Sequence, residues 1–372
     1  MLRKSHSGRK ESMGTGLQQF KRPLFKTLFL CFIVTMKPQN APRCPSCSSS
    51  NTTPFRIYNT VHNGSRHLIR CEACNRLFAE TSNTAMENLK TPISKVASAL
   101  RLRSEGLGLR ATGRVLGSHK GTIALWEQLF GDQKATLMLY SFCHEFVFLT
   151  FEGDELYTVV GKRTDPSESK GWTAVIMERA SRFIIDQRCG KKNAALFKSV
   201  MKTVCKYVNH TKDLTFLSDG ERRYGNMLFD LCSEILKTGR AGRPPKTLPK
   251  GVKVRVKNKG DQKRKKGRNR PKYQVTQREH PDTDQSLAKN EIHANHLEAQ
   301  NAATRRRNST FRRKTNTYAK TERGLQRTLN VHQIIHNYVR PHWTTGKVPA
   351  VALGIMPEAL SLESILTMQR AA

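Results

Sequence analysis

The chain has 372 residues, room for two or three domains and a substantial core, and its 65 Lys and Arg against 29 Asp and Glu give a formal net charge of +36. That charge, with a sequence pI near 10.3, far exceeds what solubility requires and calls for a polyanionic partner, above all nucleic acid. Nine cysteines, an odd total with four in a spaced quartet, argue for a reducing compartment and a metal site rather than disulfides.

Basic residues precede the apolar run Leu28–Val34, which imitates the first two regions of a signal peptide. No small-residue cleavage site follows, and the run is too short to span a bilayer, so no membrane partner is expected. With Met36 as an internal start, residues 1–40 are set aside as an extension that is disordered or not native.

Residues 41–84 hold Cys44 and Cys47 in one CxxC and Cys71 and Cys74 in a second, with a strand-like stretch and an Asn63-Gly64 turn between them. Two such knuckles offer four thiolates to a tetrahedral, structural Zn²⁺ and leave no open coordination position, which is a zinc ribbon.

Over residues 90–135, Pro92 opens a helix, and glycine breaks at Gly106-Leu107-Gly108 and Gly117-Ser118 divide the helical pattern into three short pieces, as in a helix-turn-helix. The third piece would enter a DNA groove through Ser118, His119, Lys120 and Thr122, with Ile123, Leu125 or Trp126 facing the core. An ordinary three-helix connector is the plainer alternative.

From residue 145 to 355 the pattern turns to a mixed sheet flanked by helices, an α/β domain. Strands are expected over Phe146–Phe151 continuing into Gly153–Val160, then Trp172–Met177 and Arg182–Asp186, followed by a helix at Ala194–Val208 and a strand at Leu214–Ser218. Asp219 falls where that strand ends, and Gly220 allows a sharp turn into a helix holding Tyr224, Leu228 and Leu231. A basic insertion, residues 237–280, contains the alternating Val252–Val256 and the run Lys263–Lys266, and most of it reads as an arm that orders on nucleic acid.

Asn290–Arg313 reads as one helix with Glu291, Glu298, Asn301 and Arg305 along one side, and Asn301, Arg305, Arg306, Arg307, Arg312 and Arg313 are expected to contact DNA. A second amphipathic helix follows over Leu325–Val339, and residues 356–372 remain as a tail.

Cutting a phosphodiester needs an activated oxygen nucleophile, a stabilised leaving oxygen and neutralised phosphate charge, all of which two divalent cations about 4 Å apart supply. Mg²⁺, with Mn²⁺ as a substitute, takes carboxylate oxygens, so acids on different elements must converge. Asp154 or Glu155 on the first strand, Asp219, and Glu298 meet that demand. Strand alternation puts Asp154 and Glu155 on opposite faces but cannot choose between them. Glu291 and the loop acids Asp282 and Asp284 compete with Glu298, and His296 reads as a DNA or solvent contact.

The motifs CPSC…CEAC with Phe78 after it, LRLRSEGLGLRATGRVLG, GDELYT, GWTAVIMERASRFIIDQRCG, SDGERRY, HLEAQNAATRRR and NYVRPHW occur in that order between Cys44 and Ala352. The chain thereby resembles DDE transposases of bacterial and archaeal insertion sequences, in particular the insertion sequence 1 family. That resemblance implies a ribonuclease-H-like catalytic domain behind a zinc ribbon and a helix-turn-helix, with Asp154, Asp219 and Glu298 as the metal-binding triad and Asn301 and Arg305 as its companions. It further implies double-stranded DNA, both element ends and target, as the partner, a dimer or larger synaptic complex, and work on the nucleoid in the cytoplasm. A nuclease or resolvase without strand transfer, and a non-catalytic DNA-binding regulator, are the alternatives.

Overall fold

The alternating run Thr52-Thr-Pro-Phe-Arg-Ile-Tyr-Asn-Thr60 forms the first strand, β1 (Thr52–Thr60), of a three-stranded antiparallel sheet completed by β2 (Gly64–Cys71) and β3 (Leu77–Ala79). The computed structural model describes residues 42–236, 242–256, 277–278, 291–313 and 315–371. The extension 1–40, Lys263–Lys266, Asp282 and Asp284 lie outside them.

Pro92 stands at the N-cap of α1 (Ile93–Ser104), which is followed by α2 (Leu109–Val115) and α3 (Lys120–Gly131). The three helices fall where the glycine breaks place them. Ile123, Trp126 and Phe130 of α3 are buried, whereas Leu125 stays half exposed at 49%. A fourth helix, α4 (Lys134–Phe142), leads directly into the larger sheet.

That sheet has six strands. The five long ones are β4 (Phe146–Tyr157), β5 (Trp172–Glu178), β6 (Ile184–Gly190), β7 (Thr211–Ser218) and β10 (Val252–Val256). A two-residue strand, β11 (Gln277–Arg278), lies at one edge, giving the order β11-β10-β7-β4-β5-β6. β4, β7 and β10 run parallel to one another, β5 pairs antiparallel with both β4 and β6, and β11 pairs antiparallel with β10. A mixed sheet with two antiparallel strands on one side of the first strand and parallel strands on the other is consistent with the ribonuclease-H-like arrangement. The short pair β8 (Glu234–Ile235) and β9 (Lys246–Thr247) forms a separate ladder.

Helices cover both faces. On one, α5 (Ala194–Val208) and α6 (Arg223–Cys232) pack aromatic side chains together, with Phe151 against Tyr207 and both Phe197 and Phe216 against Tyr224. Gly153 faces this layer, where a Cβ would come within 2.8 Å of the Phe216 ring, so a larger residue there would push the layer off the strand. On the other face, α7 (Asn295–Arg307) and α8 (Glu322–Ile334), which runs on as a π-helical turn (Ile335–Val339), close a core of Leu156, Val175, Met177, Ile184, Leu297, Leu325 and Leu329.

Two differences from the sequence reading have physical causes. The helix expected over Asn290–Arg313 is only Asn295–Arg307, so Glu291 precedes it and Arg312 and Arg313 follow it. Its buried side is polar, made of Gln300, Asn301 and Thr304 beside Leu297, which a hydrophobic pattern cannot bound. Cys205 and Cys232, expected as thiols, are joined as a disulfide between α5 and α6, with Cα atoms 6.3 Å apart. Two helices packed side by side bring them together across 27 residues, which cysteine counting does not reveal.

The α1–α3 helices are seated against α8 through charge. Glu127 of α3, 1% exposed, accepts from Arg103 Nε at 2.6 Å and from Arg327 Nε of α8 at 3.1 Å. The closing α9 (Pro349–Ala352) and α10 (Leu362–Thr367) return the chain toward the ribbon, where the backbone N–H of Arg43 donates to Gln369 Oε1 at 2.8 Å. Among the described residues no helix is long and apolar enough to cross a membrane.

Candidate functional site

The parallel pairing of β4 with β7 sets Gly153 beside Ser218. Asp154 and Asp219 are the next residues on each, so the two carboxylates stand on neighbouring chains where β7 ends, three residues before β4 does. Gly220, with φ of +80°, then turns the chain toward α6, a conformation that costs a glycine nothing. Tyr224 donates from its hydroxyl to the Asp154 backbone carbonyl at 3.0 Å and so ties α6 to β4 at this residue.

The Asp154 side chain reaches the opposite layer, where Asn301 Nδ2 of α7 donates to its Oδ2 at 2.7 Å. Burial pushes the Asp154 carboxyl up to about 6, and the negative charges of Glu155, Asp219 and Glu298 push the same way, against one backbone hydrogen bond. Glu298, in the first turn of α7, is exposed. Three hard oxygen donors on separate elements, two of them near enough to resist the ionisation of Asp154, are a donor set that suits a divalent cation such as Mg²⁺.

Glu155 points the other way, into the α5 layer, and its Oε2 accepts from Lys192 Nζ at 2.7 Å. Glu291 is exposed and outside the helix, so it does not share a face with Glu298 as the sequence pattern suggests. His296, expected at DNA or solvent, keeps part of its ring exposed and turns Nδ1 to within 2.7 Å of Oε1 of the buried Glu152.

In the ribbon, the Sγ atoms of Cys44, Cys47, Cys71 and Cys74 all lie within 4.8 Å of one another. Cys44 and Cys74 are 3.6 Å apart, and Cys47 and Cys71 are 3.5 Å apart. Four thiolates about 2.3 Å from one tetrahedral Zn²⁺ would be separated by about 3.8 Å, so the quartet can hold zinc. The two knuckles are built alike, since Ser48 and Asn75 take positive φ and donate backbone N–H groups to the carbonyls of Cys44 and Cys71.

No family model matches the chain, and no curated protein does. Among solved structures, the chain has a slight likeness to a pre-cleavage Mos1 transpososome, at 14% identity over 36% of this chain and 56% of that one, with a TM-score of 0.15. The Mos1 strand transfer complex gives 13% identity over 37% and 54%, also at 0.15. The chain thus spans about half the length of those proteins, and the overlap is too slight to establish a shared fold.

The basic residues fall in two groups. His119 caps α3, its Nδ1 accepting from Gly121 N at 3.2 Å, and Lys120 beside it is exposed, while Ser118 and Thr122 are half-buried. Arg306, Arg312 and Arg313 are exposed, and Arg305 and Arg307 are half-buried. Asn301 differs from what was expected: it is 3% exposed and meets Asp154, so it has no free face for DNA. Sequence reasoning also passed over Glu152. Its signal was present, as a carboxylate two residues before Asp154 on the same strand face inside an apolar run.

Proposed function

We propose that this protein is a metal-dependent transposase of the DDE type that binds the ends of its element, cleaves them and joins the freed 3′ ends to target DNA. The observation that carries this reading is the meeting of Asp154, Asp219 and Glu298 from two parallel strands and a crossing helix, close enough that their charges help hold Asp154 up to about 6. Charge supports it too, since an excess of +36 suits a protein that grips phosphates along a duplex.

On this reading Asp154, Asp219 and Glu298 would together hold Mg²⁺ or Mn²⁺. Two such ions supply the activation of water or a 3′-hydroxyl and the neutralisation of the phosphate. Asn301 aims Asp154, and Tyr224 keeps its backbone from shifting. The exposed Arg306, Arg312 and Arg313 hold phosphates, as do His119 and Lys120 at the start of α3, and Ser118, Thr122, Arg305 and Arg307 lie beside them. Zinc at Cys44, Cys47, Cys71 and Cys74 keeps the ribbon folded. Joining two ends needs at least two active sites, so the working form is a dimer or larger complex on double-stranded DNA.

The test is cleavage and strand transfer with Mg²⁺ on labelled duplexes carrying the terminal repeats that flank the gene. Joined products from wild type, absent from Asp154→Ala, Asp219→Ala and Glu298→Ala while end binding persists, are expected. Cleavage without joining would identify a nuclease or resolvase. End binding with no cleavage under any metal would identify a regulator.

A further inference from the structure

The described residues bring together one more ionisable cluster that the proposed cleavage does not use: Glu152, Arg179, His293 and His296. Glu152 lies on β4 two residues before Asp154, on the same face, and is fully buried. Its Oε1 accepts from Arg179 Nε at 2.7 Å and lies 2.7 Å from His296 Nδ1. Its Oε2 accepts from the backbone N–H of Leu297 at 2.9 Å. Arg179, from the turn after β5, extends the clamp by donating from Nη2 to the His293 carbonyl at 2.6 Å.

These contacts answer a deficiency of α7. The first turn of a helix carries backbone N–H groups without intrahelical partners, usually met by a side chain at the N-cap. The N-cap of α7 is Ala294, which has no side-chain oxygen and makes no such bond. Glu152 supplies the missing acceptor from another element, and its negative charge lies at the positive end of the helix. Thus one strand carries both Asp154 and the carboxylate that seats the helix bearing Glu298.

We infer that Glu152 is a positioning residue. It caps α7 from β4 and so sets the separation of Glu298 and Asp154, and through it the affinity of the three-carboxylate site for a divalent cation. The inference rests on the proposed reading of Asp154, Asp219 and Glu298 as metal ligands. Glu152, His293 and His296 also have ligand atoms within 4.8 Å of one another, the geometry of a metal group. Arg179 opposes that use, because its guanidinium already places a positive charge on the oxygen a metal would need.

The experiment compares full-length wild type with Glu152→Gln, which keeps the side chain's shape and one acceptor, and with His296→Ala, which removes a single contact from a partly exposed position. Amide hydrogen exchange across residues 294–299 reports the cap directly, and Mn²⁺ titration followed by electron paramagnetic resonance reports the carboxylate site. Glu152→Gln is expected to speed exchange in that turn at least tenfold and to weaken Mn²⁺ binding about tenfold, the scale for partners that orient metal ligands. Exchange in β5 and β6 and zinc content should not move, and His296→Ala should give a smaller shift in the same direction. Unchanged exchange and unchanged Mn²⁺ affinity in both variants would overturn the inference. So would Mn²⁺ or Zn²⁺ binding that survives Asp154→Asn but is lost in His296→Ala, since the cluster would then be a metal site itself. If wild type binds no Mn²⁺ that Asp154→Asn removes, the metal reading of the triad fails, while hydrogen exchange still decides whether Glu152 caps the helix.

Discussion

Asn301 on α7 donates to Asp154 on β4 at 2.7 Å, so the helix that carries one candidate metal ligand also holds another in place. Asn301→Ala should therefore lower metal-dependent cleavage by about 10- to 100-fold, the range for residues that orient a ligand. End binding measured by gel shift should stay within about twofold, because the buried amide makes no contact with nucleic acid. A loss of binding as large as the loss of cleavage would return Asn301 to the DNA surface.

The raised Asp154 carboxyl has a signed consequence for stability. Its folded pKa of about 6 lies above the ordinary 3.8, so protonation favours the folded state, and that contribution fades as pH rises through about 6. At pH 8 and without metal the ionised group is a burden, and Asp154→Asn should raise unfolding stability by about 1–2 kcal/mol while abolishing cleavage. Mg²⁺ should raise the melting temperature of wild type and leave the variant unmoved. Scanning fluorimetry with and without Mg²⁺ checks both.

His332 and His336 give the opposite dependence. Burial, with Arg307 and Arg340 nearby, lowers His332 to about 3, and burial together with His332 takes His336 well below its usual value. Both remain neutral in the fold, where Thr304 Oγ1 is 3.2 Å from His332 Nε2, and His336 Nε2 donates to the Arg182 carbonyl at 2.8 Å. The unfolded chain takes up protons below about pH 6.5 and the folded one does not. Stability is thus full above that pH and falls below it by about 1.4 kcal/mol per unit for each histidine. Urea unfolding at pH 7.5, 6.5 and 5.5 in an Asp154→Asn background, where the carboxyl's contrary effect is absent, should show this slope. Replacing both histidines with Gln should flatten it.

Purified chain should carry one zinc, measured by elemental analysis, and Cys71→Ser should lose it. Cys71 is fully buried and ends the central strand of the ribbon, so the loss should unfold β1–β3. The larger sheet has its own core and should keep its exchange protection. Loss of protection in β4 and β7 together with zinc would show that the two parts fold as one.

Legibility in the sequence followed the strength of local signals. Apolar runs and flanking turns bounded β5 to within one residue and gave the end of β7, which starts three residues earlier than expected, and Asp219 follows that end beside the strand carrying Asp154. Alternation also separated Asp154 from Glu155, although only the neighbours, Asn301 on one side and Lys192 on the other, show what each face meets. Polar packing was not legible. α7 buries Gln300, Asn301 and Thr304, so hydrophobic period could neither bound it nor reveal that Glu291 lies outside. Glu152 and the Cys205–Cys232 pair depend on contacts between elements distant in the chain, which no single-sequence period encodes.

The ion-paired seat of α3 on α8 has a further implication. Glu127 is shared by Arg103 and Arg327, both largely buried, and Gly131 approaches so closely that an added Cβ would meet the Asn330 Cβ at 3.3 Å. A junction of this kind resists hinging, since parting it would strand a buried carboxylate. On the proposed reading it makes the molecule a ruler. The bases read by α3 and the bond cut at Asp154 would be separated by a set number of base pairs, and inserting half a helical turn of DNA between them would swing the scissile phosphate to the far side of the duplex.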